Sequence, residues 1–523
     1  MTTSSIPAAP PIASRPSRRR LLLISAAVFI VAGFAGAYCF NIFWPYRYKN
    51  VEPLLESVLA SKITIEHFHR TYFPHPGFVA TGITLRRNSA PNLPPIGTAE
   101  ELHVQGEWND FLLLHRSVPL VYIKGLHIVI PPVGSRANHE DFPPGSSMDF
   151  AGPATPVEVL HLHDAELDIQ RTDGGQYSYP IHDLIIRNLH RGNTVLYSLD
   201  MGNALPAGHI LSHGSFGPLK PQALGDTALS GQFAFSDVAL KDIGGISGVL
   251  SSYGSFQGTI ATIAAGITTH VPDFAVGHGT PVALNGWLRG SVNGLNGDVT
   301  FQDIVLKTGA TTVNAHGRIV ALKKDEPKTT DLDLIVKDGR VEDVLRPFLH
   351  GTVPLLGTAS LHSHAHVEPA AKDKPFLQRL SMDGVFDVPA ERLTDKKTEQ
   401  TLSAFSGRAE HPSDKAPSPD VLSSLSGPVT IRNAVAASNQ LRFQIPGADT
   451  TLKGTFDLRS STVHLTGDLR MQSDISHVVT GWKSFLLKPL IPFFHGKKAG
   501  AVVPIQITGR PGTYKVGQNI FHF

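Results

Sequence analysis

The sequence predicts a mainly β protein: an N-terminal transmembrane helix followed by an elongated antiparallel β-sheet with a few short helices. Three observations predict it. An uncharged apolar run opens the chain, apolar and polar residues alternate with period two from Ile63 onward, and turn-forming residues are spread along the whole length. With 48 glycines and 39 prolines in 523 residues, the two types make up about 17% against a typical ~12%, which suits many short strands joined by turns.

The apolar run is Leu21 to Trp44, 24 residues without a charge. At ~1.5 Å of rise per residue it can cross a hydrocarbon core ~30 Å thick. Arg15, Arg18, Arg19 and Arg20 precede it, so the positive-inside rule puts the N-terminus in the cytoplasm and the bulk of the chain across the membrane. Tyr38, Phe43, Trp44, Tyr46 and Tyr48 crowd its far end, where amphipathic rings suit the headgroup layer. A cleaved signal peptide is the rival reading, with Ala35 and Ala37 as a small-x-small site. Its apolar core would be too long, since such cores span ~7 to 15 residues. Residues 1–20, proline-rich and then basic, are expected to be disordered.

Composition limits what the exported part can be. The single cysteine, Cys39, sits inside the expected span, so no disulfide framework supports the rest. A net charge of +2 with 17% charged residues gives no field that would select nucleic acid. Three regions are expected beyond the span: 45–220, 221–405 and 406–523.

The elements follow in order. Val51 to Ser61 carries Leu54, Leu55, Val58 and Leu59 on one face with Pro53 in its first turn, which reads as a short amphipathic helix beside the bilayer. Strands then dominate. Val313, Ala315, Gly317, Ile319 and Ala321 alternate with Asn314, His316 and Arg318, and the same period recurs in 332–336 and 380–388. The clearest hairpin is late. Leu452, Gly454, Phe456 and Leu458 alternate with polar residues, a turn follows at 459–462, and Val463, Leu465, Leu469 and Met471 resume the pattern. Segments 131–156 and 406–420 read as loops, Val341 to Leu345 as one helical turn and 473–487 as an amphipathic helix. Pro504 within Val502 to Ile507 marks a strand at a sheet edge.

Catalytic chemistry finds little support. The 25 histidines include His362, His364 and His366 at alternate positions, where three imidazoles share one strand face and the His-x-His portion could hold a metal. Ser360 and Glu368 lie on the same parity, which makes this the solvated side of an ordinary amphipathic strand. His161 and His163 have that spacing but end at an expected turn near Asp164, and His67 and His69 precede a bend at YFPHPG. The glycines of GGISGVLSSYGSFQG read as tight turns, and Asp331, Asp333, Glu342 and Asp343 as solvated charges. HExxH, GxSxG and GxxxxGK[ST] do not occur. We therefore expect no enzyme, no catalytic residue, no cofactor and no metal.

The anchor followed by IEHFHRTYFPHPGFVATGITLRR (65–87) resembles the N-terminal part of the AsmA family of envelope proteins. Further segments resemble an AsmA-like branch in the same order, among them NALPAGHILSHGSFGPL, GISGVLSSYGSFQG, IPGADTTLKGTFDL and VVTGWKSFLLKPLIPFFHGKKAGAVVPIQITG. The likeness runs from about residue 20 to about 509 and contains no chemical motif. It implies a single-pass inner-membrane protein, anchored through 21–44 with its bulk in the periplasm. It further implies a long, curved β-groove with an apolar lining, linked to phospholipid movement or outer-membrane biogenesis. Alternation by itself favours a sheet sealed by its own side chains; the resemblance favours an open trough. The expected lining is Phe456, Leu458, Val463, Leu465, Leu469 and Met471, with Trp482, Phe485, Phe493 and Phe494 contacting lipid or a partner. On the order of 20 strands ~4.8 Å apart reach only ~100 Å, so a tether, shuttle or regulator fits better than a conduit across the whole envelope. The alternative is an assembly factor that engages outer-membrane clients by strand addition, without lipid.

Overall fold

A strand whose side chains alternate in polarity must turn one face away from water, and neighbours that keep the same phase build one sheet with two unlike faces. The computed structural model describes residues 48–59, 61–87, 92–109, 118–132, 134–141, 156–190, 192–321, 327–371, 374–394, 423–446, 448–471, 502–510 and 513–518. They form a large, mainly antiparallel sheet of 25 strands. The expected membrane span at 21–44 and the expected helix at 473–487 lie outside these residues. Among the described residues no helix is long and apolar enough to cross a membrane.

Three antiparallel strands begin the ladder: β1 (Ser61–Thr71), β2 (Gly77–Arg87) and β3 (Gly97–Gln105). Two collinear strands follow, β4 (Val118–Lys124) and β5 (His127–Ile130), separated by Gly125 at φ 61°. Both pair with β3 on one side and, in parallel, with β6 (Val157–Gln170) on the other. These are the only parallel pairings among the described residues. The chain then runs back and forth through β7 (Gln176–Leu189), β8 (Val195–Ala204), β9 (Ala207–Phe216) and β10 (Ala228–Ala239). The two-residue β11 (Ile246–Ser247) sits beside β12 (Val249–Thr259), and both pair with β13 (Thr262–Val276).

Each later strand pairs with the one before it. They are β14 (Val282–Val292), β15 (Val299–Thr308), β16 (Thr311–Val320), β17 (Thr329–Arg340), β18 (Leu355–Val367) and β19 (Leu380–Leu393). The series continues with β20 (Ser423–Arg432), β21 (Val435–Ile445), β22 (Ala448–Asp457), β23 (Thr462–Met471), β24 (Val502–Gly509) and β25 (Lys515–Gln518). The ladder crosses residue 220 through β9 and β10 and residues 405–406 through β19 and β20, so hydrogen bonding is continuous across the expected regions.

Short helices sit at the margins: Tyr48–Leu59, Arg136–Asp141, Val341–Leu345 and Phe376–Arg379. The first begins three residues earlier than its sequence pattern suggests and yields to β1 at Ser61. The late hairpin forms with the expected turn. Pro504 faces Asp468 of β23, while β25 reaches only Ile505 to Thr508, so Pro504 lies at a stretch of edge that β25 leaves uncovered.

Two sequence expectations are corrected here. His161 and His163 do not end at a turn, because β6 continues through Asp164, which takes φ 49° at a local kink. Nor do all the glycines of GGISGVLSSYGSFQG mark turns. Gly254 and Gly258 lie inside β12. Mid-strand glycines recur because neighbouring strands approach too closely for a side chain. At Gly454 (φ 151°) a Cβ would fall 2.0 Å from the His464 carbonyl oxygen, and at Gly317 (φ 154°) 2.0 Å from that of Asp331.

Replacing Gly454 by valine therefore requires the β22–β23 pair to part. Gly454→Val is expected to cost about 3 kcal/mol or more, read as a lowered urea midpoint, whereas Thr455→Val on the exposed face of the same strand should stay within about 0.5 kcal/mol.

Candidate functional site

Residues opposite one another in register point to the same side of a sheet, so cross-strand lines define its faces. One line can be followed from β2 to β24 without meeting a polar side chain. It passes through Phe78, Val104, Val121, Leu160, Ile186 and Tyr197, then Gly214, Gly231, Phe256, Ala265, Gly290 and Phe301. It continues through Gly317, Leu332, Ala365, Met382, Ile431, Ala436, Phe456 and Val463 to Gly509. The neighbouring line, from Ala80 to Val429, is interrupted only by Ser212 and Ser363.

The two ends of this apolar face differ in how they are covered. Over β2 to β7 it is sealed: Val104, Val121 and Leu160 are 0% exposed, and the helix Tyr48–Leu59 lays Val51 and Leu55 into the same cluster. From Tyr197 onward the line is half-buried, with Ala365 fully buried. It is neither packed like the first strands nor bare like the apolar residues opposite, where Tyr253 is 64% and Val385 60% exposed. Aromatic rings cover the glycines: a Cβ on Gly231 would lie 2.7 Å from the Tyr197 hydroxyl and 2.8 Å from Cζ of Phe256. Burial among these rings raises the pKa of Tyr197, although its hydroxyl meets Ser212 at 3.2 Å.

Of the expected lining, Phe456 faces Val463 across the strands, Leu465 faces Gly454 and Leu469 faces Thr450, all half-exposed on the apolar side. Leu458 lies beyond the end of β22 and packs on a separate small cluster of Val276, Leu377 and Ala434. Met471 ends β23 opposite Ala448. Trp482, Phe485, Phe493 and Phe494 fall outside the described residues. The aromatic side chains Tyr197, Phe233, Phe256 and Phe301 belong to the same face and were not anticipated. Their signal was the alternation of aromatic residues with glycine inside strands, as in YGSFQG.

The opposite face carries mostly polar side chains, with exposed apolar ones such as Leu196, Leu211, Tyr253, Trp287 and Val385 among them, and is crossed by histidine–carboxylate pairs. His127 meets Asp168 at 2.8 Å, His209 meets Asp200 at 2.6 Å, His364 meets Asp333 at 2.9 Å and His366 meets Asp331 at 2.7 Å. A depression of about 870 Å³ also opens on this side, over β8 to β15, with Leu196, Gln232, Ser255, Trp287 and Arg289 in its wall. Metal-capable side chains converge once among the described residues, at His161, His163 and Asp183. A hydrogen bond from His161, helped by one from His163, holds the Asp183 carboxyl below its usual range against the opposing effect of burial. Burial lowers the pKa of His103 nearby.

No protein-family model, curated protein or solved structure matches this chain.

Because the folded-state pKa of Asp183 is depressed, its contribution is present above the unfolded value of ~3.9 and is lost as pH falls through the folded value. Asp183→Asn should therefore be less stable than the parent at neutral pH, with the gap closing only below about pH 4. Paired thermal melts from pH 3 to pH 7 would check this, and a gap that vanishes already at pH 6 would contradict it.

Proposed function

We propose that the chain is an AsmA-like, membrane-anchored envelope protein that shelters phospholipid acyl chains on the apolar face of its sheet, with the headgroup left in water. The reading expects the span at 21–44 to hold it to the inner membrane and the curved sheet to lie in the periplasm. The observation that carries it is the uninterrupted apolar register line from β2 to β24, sealed only over its first strands.

The energetics support such an occupant. An apolar sheet face left partly in contact with water keeps a driving force for further burial, and each acyl CH2 it shelters recovers ~0.8 kcal/mol. Glycine alternating with aromatic residues gives a shallow, ridged floor that accommodates a flexible chain better than a rigid, shape-matched ligand. Neither a discrete polar anchor nor catalysis is needed, because the headgroup stays hydrated. A ladder of this length spans roughly 100 Å at ~4.8 Å per strand, enough to carry lipid away from one membrane surface and suited to a tethered shuttle or regulator.

The test is lipid recovery by native mass spectrometry of the detergent-solubilised full chain. Phe256→Asp and Leu465→Asp should each lower recovered phospholipid several-fold. Tyr253→Asp, on the polar face and already 64% exposed, should leave it unchanged. Equal recovery from all three variants, each checked for folding by circular dichroism, would remove the lipid reading. Client proteins cross-linked at strand edges, with no lipid recovered, would favour strand addition instead.

A further inference from the structure

We propose that His161, His163 and Asp183 form a binding site for a divalent transition-metal ion of the zinc class on the polar face. The site is separate from the apolar face, and its test is independent of the lipid reading.

His161 and His163 alternate on β6 and so share a side, while β7 places Asp183 directly opposite His163. The His161 Nε2 lies 2.7 Å and the His163 Nδ1 3.1 Å from the same oxygen, Oδ1 of Asp183. All three donor atoms fall within 4.8 Å of one another. Zinc bonds to nitrogen and oxygen are ~2.0–2.2 Å long and tetrahedral, which places donors roughly 3.3 Å apart. An ion therefore enters by widening the two nitrogen–oxygen contacts by roughly 0.2 to 0.6 Å, with the two imidazole nitrogens, within 4.8 Å of each other, set about 3.3 Å apart, and takes solvent as its fourth ligand. Two imidazoles and one carboxylate suit a borderline ion better than calcium or magnesium, which prefer oxygen ligands.

The second ring nitrogen of His163 is placed compatibly with an ion at the first. Its Nε2 lies 3.3 Å from Oδ2 of Asp164 while Nδ1 faces Asp183. A neutral imidazole has one N–H donor and one acceptor and so serves only one of the two carboxylates, whereas a protonated ring serves both. A metal at Nδ1 fits the same placement, because it leaves Nε2–H on the side of Asp164, as in the carboxylate–histidine–metal arrangement common around bound zinc. The kink at Asp164, φ 49°, accompanies this placement of its carboxylate beside His163. Flanking charges are already engaged: Lys124, opposite His163, reaches Glu100 at 3.8 Å, and Asp200, opposite Asp183, pairs with His209. Tyr122 packs its ring 5.3 Å from that of His161 and limits its rotation.

Other histidines bind metal adventitiously, so the test must be positional. The full chain, stripped with a chelator and equilibrated with Zn2+ alone, should retain one zinc per chain after dialysis against a weak competing chelator. His161→Gln and Asp183→Asn should abolish that retention. His364→Gln and His366→Gln, in a comparable His-x-His on β18, should not. Asp164→Asn, which removes no ligand, should weaken zinc affinity about 10- to 100-fold. Co2+ in place of zinc should give a visible ligand-field band that Asp183→Asn removes. Absence of retained zinc in the parent, retention unaffected by His161→Gln and Asp183→Asn, or loss on changing His364 or His366 would each overturn the assignment.

Discussion

Phase coherence is the constraint on which this structure rests. Side chains in a strand alternate with a period of two, so a one-residue slip between neighbours would carry every later strand's apolar set to the wrong face. The ladder nevertheless keeps one side free of polar residues along a line from Phe78 to Gly509. Some of its irregularities spare the strand centres, while others, as between Ser426 and Thr430 and between Ser438 and Leu441, fall mid-strand. Bulges between Phe235 and Val238, Val271 and Phe274, and Val336 and Gly339 lie near strand ends, and the shifted residues resume pairing beyond them. An extra residue there adds twist without changing the face that the strand centre presents.

Coverage divides this face into two parts. The first strands behave as an ordinary core because an amphipathic helix closes them, with Val51 and Leu55 seated among Ile63, Phe78 and Val104. No comparable helix packs on the later strands in that cluster, and many of their side chains settle at intermediate exposure, with Ile304, Ala315, Ala365 and Leu452 buried among them. Aromatic rings lying over mid-strand glycines partly compensate, burying ring area against the backbone where a second layer would otherwise be required. The close approaches that exclude a Cβ at Gly317 and Gly454 bring neighbouring backbones together where a side chain would otherwise stand between them.

How much of this was legible follows from the distance over which each feature is encoded. The hairpin of β22 and β23, the helical turn at Val341 and the polar parity of His362, His364 and His366 are written in consecutive residues, and the sequence pattern located them. The parallel pairing of β4 and β5 with β6 was not legible, because it depends on a crossover through a segment that reads simply as loop. Glycines in β12 read as turns in the sequence because glycine marks both a reversal and a close approach, and only the neighbouring strand decides between them. Asp183 carries no local signal pointing to His161 and His163; register alone unites them. Leu458 continued the alternation of its strand by one step too many, past the residue where the chain leaves the sheet for a different cluster.

The polar face is best understood through the liability of the apolar one. Two sheets with exposed greasy faces associate, and hydrated side chains on the opposite side limit that tendency between the apolar residues exposed there, such as Leu211, Tyr253 and Val385. Histidine–carboxylate pairs across neighbouring strands do this without repulsion between like charges: His209 with Asp200, His364 with Asp333 and His366 with Asp331 all stand partly in solvent. Exposed pairs of this kind contribute little stability, so their value lies in hydration and in disfavouring misregistered pairing. The same economy explains why a metal-capable cluster arises here. Where two histidines and an aspartate already meet across one register step, and a kink adds a second carboxylate, a pattern that keeps the sheet soluble also supplies a donor set, at His161, His163 and Asp183, that needs only small adjustments to hold an ion.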